Sequence, residues 1–194
     1  MALSYSNITV EIKEVFLKNR PQELYDVSPK GTVPVLSLSN STIIEESIDI
    51  MKWALEQKDM KSWFISNINS QMEMIMLYDD EFKYWLDRYK YHDRFPENNK
   101  TFYMEKCHIF LSRINNLLKG NSYLFSNKIS LADIAIFPFI RQCANVDVDW
   151  FANNYINTSK WLDHFTNSKL FLSVMDKYPE YKSKQKPLII NFNK

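Results

Sequence analysis

The stretch SPKGTVPVL at residues 28–36 carries the most information about how this chain folds. It combines a Ser-Pro turn and a glycine with a second proline, Pro34, that leads into a short apolar run. Another apolar run at 41–44 is followed by Glu-Glu-Ser at 45–47, where the spacing of apolar residues becomes helical. This order predicts a turn, a hairpin of two short strands and a helix within about twenty residues.

The patterns on either side of this stretch extend the prediction. Residues 9–15 alternate apolar and charged side chains, which is typical of a half-buried strand. Pro21 begins a short helical turn that runs to Tyr25, and strands are expected at 33–38 and 41–44. A polar and charged run at 57–62 then marks a domain boundary.

The remainder of the chain reads as helix. Its predicted helices cover residues 82–89, 103–118, 130–140, 158–165 and 169–177. We expect Asp79 or Asp80 to cap the first of these, while Gly120 ends the second, which carries the clearest apolar stripe of the chain. Cys107 falls on that stripe and is interpreted as a small core residue.

Composition excludes several classes of function. The chain has 194 residues, two glycines and a net charge of +1 with both signs mixed along its length. Few glycines argue against a phosphate-binding loop, and the absence of a basic stripe argues against a nucleic-acid partner. The three histidines and two cysteines lack metal-ligand spacing, so we expect no metal site.

The same composition bears on location. Two isolated cysteines do not make a disulfide framework, which favours a reducing compartment. No apolar run approaches the roughly 18 residues that a membrane span needs, and residues 1–6 lack the features of a signal peptide. We therefore expect a cytoplasmic protein without a membrane partner.

The layout at 28–47 resembles the glutathione half-site in the thioredoxin-like domain of the cytosolic glutathione transferases. It is most similar to their cysteine-type members, the omega-like and related bacterial enzymes. The helical part carries the resemblance too, in LDRYKY at 86–91, SLADIAIFPFIRQ at 130–142 and VMDKYP at 174–179. Each piece is weakly specific, but together they span nearly the whole chain.

The resemblance implies the fold and its domains. Residues 1–57 would form a truncated α/β thioredoxin-like domain that binds glutathione, and 58–64 a linker. Residues 65–194 would form the all-α C-terminal domain of glutathione-transferase type. Within it, Ser130 and Asp133 match a structural capping motif, whose loss typically costs about 0.5–2 kcal/mol and which has no catalytic role.

The resemblance also implies five glutathione contacts. Pro34 would be cis, which turns the backbone of Val33 toward the cysteinyl unit of glutathione as an added strand. Glu46 would face the ammonium group, and Ser47, at a helix N-terminus, would hold the γ-glutamyl carboxylate. Arg20 would pair with the glycyl carboxylate.

Each of these residues also has a purely structural interpretation. Pro34 is equally suited to start an ordinary strand, and Ser47 to cap a helix whose dipole Glu46 complements. Arg20 is then a solvated surface cation. Lys30 has a weaker claim to the ligand and is interpreted as a turn residue.

A complete domain of this family begins with a strand, a Cys-Pro-aromatic turn and a helix that lowers the pKa of the cysteine. Residues 1–5 look like the end of that helix, so we expect the natural polypeptide to start about twenty residues earlier. The catalytic cysteine would then be absent from this chain. In one variant, the β-prone tail at 188–192 fills the empty strand position, in its own chain or in a partner's.

The resemblance yields two hypotheses for function. The first is a glutathione S-transferase-like enzyme, expected as a homodimer, that uses glutathione as co-substrate for thiol transfer or conjugation to a small electrophile or a disulfide. The alternative is a non-catalytic protein-interaction module of the stringent-starvation-protein type. Arg20, Val33, Glu46 and Ser47 favour the first hypothesis, and the missing nucleophile favours the second.

Overall fold

The computed structural model describes residues 1–58, 63–64 and 67–192, so the predicted linker at 58–64 lies largely outside the described residues. Its elements, in chain order, are α1 (Ala2–Tyr5), β1 (Val10–Glu11), α2 (Gln22–Val27), β2 (Leu36–Ser37), β3 (Ile43–Ile44), α3 (Ser47–Glu56), α4 (Ile68–Leu77), a π-helix (Tyr78–Phe82), α5 (Lys83–Lys90), a 3-10 helix (His92–Arg94), α6 (Lys100–Leu117), α7 (Leu131–Ala144), α8 (Val148–Asn154), α9 (Ile156–Thr166), α10 (Lys169–Leu172) and β4 (Ile189–Ile190).

The chain forms two compact units. The first contains residues 1–60 together with 169–194, and the second contains residues 61–168. The first unit is therefore a small α/β domain to which the C-terminal segment contributes, and the second is helical. In the part of the chain that the structure describes, no helix is long and apolar enough to cross a membrane.

The predicted hairpin is present, with shorter strands. β2 and β3 pair antiparallel, with Leu36 opposite Ile44 and Ser37 opposite Ile43. At the turn, the Leu38 N–H donates to the Thr42 carbonyl at 2.9 Å. Because the hairpin is antiparallel, the start of β2 and the end of β3 lie at the same end of this two-stranded sheet.

The strand predicted at 9–15 pairs with the C-terminal tail of its own chain. β1 and β4 are antiparallel, with Val10 opposite Ile190. The pairing continues through the Ile12 N–H, which donates to the Leu188 carbonyl at 2.9 Å. A separate, parallel bridge joins Glu14 to Glu180, where the Glu14 carbonyl accepts from the Tyr181 N–H at 2.8 Å. The tail therefore pairs with β1 within its own chain, and among the described residues no strand pairing joins it to β2.

One continuous helical segment runs from α4 through the π-helix into α5, so the predicted cap at Asp79 or Asp80 is wrong. Both residues lie inside the π-helix, and Asn67 caps the segment by accepting from the Ser70 N–H at 3.4 Å. The segment continues because the π-helix has a core face: Tyr78 and Phe82 are fully buried, and the Tyr78 hydroxyl donates to the Phe110 carbonyl at 2.8 Å.

The predicted capping motif opens α7. Ser130 Oγ accepts from the Asp133 N–H, and Asp133 Oδ2 accepts from the Ser130 N–H, which forms a capping box. Two further donors reach the Asp133 carboxyl from elsewhere in the second unit: the Leu124 N–H at 3.0 Å and the Trp161 indole N–H at 2.9 Å. Burial raises the pKa of Asp133, and these hydrogen bonds oppose that effect.

The other backbone donors in the first turn of α7 are also satisfied. The Leu131 N–H donates to the Trp63 carbonyl at 3.0 Å, and the Ala132 N–H donates to Gln71 Oε1 at 3.2 Å. Ser130, Gln71 and Asp133 are all fully buried. The start of α7 is therefore bonded to α4, to α9 and to the loop before α7, in addition to its own capping box.

The two last predicted helices differ from the prediction in length. α9 is longer than the expected 158–165, whereas the helix expected at 169–177 ends after four residues. It ends because the following amides bond three residues back: the Val174 N–H donates to the Phe171 carbonyl, and the Met175 N–H to the Leu172 carbonyl. Such bonds tighten a last turn and close the helix.

Candidate functional site

The hairpin end brings four of the five predicted glutathione residues close together in the first unit. The Val33–Pro34 peptide bond is cis, as the resemblance implied, and directly precedes β2. Glu46 and Ser47 directly follow β3. The last observed pair, Leu36 opposite Ile44, lies two residues from both Pro34 and Glu46 along the chain, so the four residues flank the same end of the hairpin.

Contacts from the 28–31 turn fix this arrangement. Ser28 is fully buried, and its hydroxyl donates to Glu45 Oε1 at 2.5 Å. Two residues along, Lys30 Nζ lies 3.4 Å from Glu46 Oε1. The turn itself closes with the Gly31 N–H donating to the Ser28 carbonyl at 2.8 Å. The turn before Pro34 is thus bonded to both acidic residues that precede α3.

Gly31 is required at its position in this turn. Its φ is +62°, in the left-handed region that glycine adopts without steric cost. A Cβ on this residue would lie 2.3 Å from Cε1 of the Tyr25 ring, well inside contact distance. The backbone of the turn and the end of α2 therefore approach closely only because residue 31 has no side chain.

The N-terminus of α3 has no side-chain cap. Glu46 is the N-cap residue, and its backbone carbonyl accepts from the Asp49 and Ile50 N–H groups, but among the described residues no side chain caps this helix end. Ser47, which the structural interpretation made the cap, is the first helical residue and is exposed. The partial positive charge of this helix end is therefore available to an anion.

Exposure is common to all five predicted residues. Arg20, Val33, Pro34, Glu46 and Ser47 all lie at the surface, and the apolar Val33 side chain is 44% exposed. Arg20 directly precedes Pro21, the N-cap residue of α2. Within the described chain, no ion pair or hydrogen bond joins Arg20 to the other four residues, so its place in the site stays a prediction.

The sequence did not predict the contact of Ser28 with Glu45, since 17 residues separate the two. Nor did it predict that Lys30, interpreted as a turn residue, pairs with Glu46. The only available signal was the acidic pair at 45–46 placed after the strand. A Ser-Pro turn and a Glu-Glu pair are each too common to specify a contact.

The two cysteines lie in the core of the second unit and do not belong to this site. Cys107 and Cys143 are both buried and both free thiols. A hydrogen bond with Cys143, together with burial, raises the pKa of the Cys107 thiol far above its usual range. A thiol in this setting stays protonated at neutral pH and is a poor nucleophile. Among the described residues, no group of three or more potential ligands is placed to hold a metal ion.

Comparison with known proteins identifies the family. Residues 1–57 match the model for the glutathione S-transferase N-terminal domain, and residues 79–169 match the model for its C-terminal domain. Glutathione S-transferase D6 of Drosophila melanogaster is 26% identical over 144 residues, which cover 70% of this chain. That match spans 64% of the relative's length, just under two thirds.

Solved structures share the fold at lower identity. The glutathione transferase URE2P6 of Phanerochaete chrysosporium, crystallised with oxidized glutathione, superposes with a TM-score of 0.76 and 17% identity, covering 89% of this chain and 86% of that one. The bacterial glutathione transferase BphK superposes with a TM-score of 0.73 and 18% identity, covering 89% and 88%. With both of its domain models matched, over about three quarters of its length, this chain belongs to the glutathione S-transferase family.

Proposed function

We propose that the first unit binds glutathione at the end of the β2–β3 hairpin. Ser47 and the uncapped N-terminus of α3 hold the γ-glutamyl carboxylate, and Glu46 faces the ammonium group of the same unit. The backbone of Val33, before Pro34, pairs with the cysteinyl unit, and Arg20 pairs with the glycyl carboxylate. The observation that carries this proposal is the exposed, uncapped helix end beside a carboxylate.

For the chemistry, we propose glutathione-dependent thiol transfer or conjugation to a small electrophile or a disulfide, in which neither Cys107 nor Cys143 is the nucleophile. Both of these thiols are buried, and the raised pKa of Cys107 disfavours the thiolate that such chemistry needs. The same burial favours a second candidate function, a non-catalytic glutathione-transferase-like module that contacts other proteins and need not bind glutathione.

Calorimetric titration with glutathione tests the site. Glu46→Gln and Ser47→Ala should each weaken binding about fivefold or more, because each removes a charged or dipolar partner of the ligand. Asp49→Asn is the matched control, since Asp49 is an exposed carboxylate in the first turn of the same helix and pairs with Lys52. Equal affinities for the wild-type, E46Q and S47A proteins would overturn the site.

Turnover separates the two candidate functions. Thiol transfer predicts that the chain reduces a small disulfide substrate with glutathione, whereas the interaction module predicts no turnover. Activity that survives replacement of both cysteines by alanine would show that another group is catalytic. Activity lost with either cysteine would contradict the exclusion of these thiols.

We further propose that the chain forms a cytoplasmic homodimer, since dimerisation is typical of the family. Light scattering at micromolar concentration should then give about twice the 23.2 kDa mass of one chain. A single species at the mass of one chain would contradict the dimer.

A further inference from the structure

Lys30 already forms an ion pair with Glu46. Lys30 Nζ lies 3.4 Å from Glu46 Oε1, within both ion-pair and hydrogen-bond distance. The two side chains are 62% and 64% exposed, so the pair faces solvent. The Ser28–Glu45 hydrogen bond ties the turn that carries Lys30 to the residue before Glu46, so the backbone holds the two side chains within reach of each other.

We infer that Lys30 is a specificity-determining residue that holds the cation position on Glu46 while the site is empty. This inference rests on the proposed function, in which Glu46 faces the ammonium group of glutathione. A primary ammonium from the ligand and the primary ammonium of Lys30 have the same charge and the same donors. The two ammonium groups therefore repel each other and compete for the Glu46 carboxylate when the ligand binds.

The Lys30–Glu46 ion pair is weak, so its effect on ligand affinity is small but measurable. Exposed ion pairs are weak, since water screens them and both side chains lose conformational freedom. Lys30 therefore competes without blocking the site. A ligand that lacks the ammonium group leaves the pair intact, and Lys30 does not oppose it. Lys30 thus lowers the preference of the site for ligands with an ammonium group.

A pair of ligands and a pair of proteins isolate this effect. The ligands are glutathione and glutaryl-cysteinyl-glycine, which is glutathione without its α-ammonium group. The proteins are wild type and Lys30→Gln, and calorimetry gives the four affinities. Taking the ratio of the two ligands cancels the general loss of positive charge, which acts on the carboxylates of both. We expect K30Q to raise the preference for glutathione over the analogue by about two- to fivefold.

Lys52→Gln is the matched control. Lys52 forms a similar exposed pair with Asp49 on α3, at 3.3 Å, and its substitution removes the same charge from the same unit. K52Q should leave the ligand preference unchanged. An unchanged or lowered preference in K30Q overturns the inference, and the lowered case would make Lys30 a direct ligand contact. A wild-type chain that binds neither ligand overturns the proposed function, and the role of Lys30 with it.

Discussion

At the scale of single residues, the two glycines of this chain stand in opposite environments. Gly31 has a left-handed backbone and a tyrosine ring where its Cβ would be, whereas nothing lies within 4 Å of a Cβ placed on Gly120. The turn that carries Lys30 and leads into Pro34 therefore requires glycine at position 31. Gly120 is open to substitution.

We predict that Gly31→Ala destabilises the protein by about 1–3 kcal/mol, because it strains the backbone and displaces Tyr25. Gly120→Ala should be neutral or stabilising by up to about 1 kcal/mol, since it reduces the entropy of the unfolded chain. Urea denaturation measures both. Similar free energies of unfolding for the two variants would contradict the role assigned to Gly31.

The buried thiols give a second prediction at this scale. Because the hydrogen bond with Cys143 and burial keep the Cys107 thiol protonated, and Cys143 is buried, neither cysteine should be alkylated by iodoacetamide at neutral pH in the folded protein. Both should react once urea unfolds the chain, as mass spectrometry would show. Rapid alkylation of either cysteine without urea would mean that the second unit opens readily or that the thiol is accessible.

At the scale of elements, the start of α7 concentrates more hydrogen bonds than a helix cap needs. Asp133 accepts from two backbone amides, a hydroxyl and an indole, all from buried groups. Its carboxyl therefore joins the loop before α7 and helix α9 to the helix end. The cap is one part of a larger polar junction.

We predict that Asp133→Asn lowers the free energy of unfolding by about 1–3 kcal/mol, because an amide NH2 group would face buried donors that the carboxylate satisfies. Gln71→Leu should also destabilise, since it leaves the Ala132 N–H without its side-chain acceptor. Chemical denaturation gives both values. As a control, Asn99→Ala removes an exposed cap on α6 and should cost only about 1 kcal/mol.

The elements also show what the sequence can specify. The hairpin, α3, α6 and the Ser130–Asp133 box follow from local patterns and short spacings, and all are observed. The contacts of Asp133 with Trp161 and of Ser28 with Glu45 join residues far apart in sequence, where no local pattern exists. The end of α10 was missed because its amides bond three residues back, which apolar spacing does not reveal. The residues of the candidate site were predicted from their types and order, whereas the Lys30–Glu46 ion pair is visible only in the structure.

At the scale of the whole molecule, the first unit depends on a tail 180 residues away from its first strand. The Ile12–Leu188 hydrogen bond and the Val10–Ile190 pairing attach this tail, and Asn191 Nδ2 adds bonds to Asn7 Oδ1 and Thr9 Oγ1 at 3.1 Å each. Among the described residues, β4 is the one strand that pairs with β1.

We predict that Ile190→Pro destabilises the first unit by about 1 kcal/mol more than Ile189→Pro does. Hydrogen-bonded residues alternate along an antiparallel pair of strands, so Ile190, like Leu188, exchanges backbone hydrogen bonds with β1. The amide of Ile189 points away from β1, so proline at position 189 removes no bond to that strand. Hydrogen exchange at the Ile12 amide should accelerate in I190P and change less in I189P. Equal exchange in both variants would mean that the tail does not protect β1.

The joining of β1 to β4 has a consequence for biosynthesis. Residues 61–168 form a contiguous unit that is complete once the ribosome has passed them, whereas the first unit waits for residue 190. At about 5–20 residues per second, β1 is synthesised roughly 10–35 seconds before its partner strand. During translation the second unit can therefore fold before the first unit is complete, which reverses the usual vectorial order.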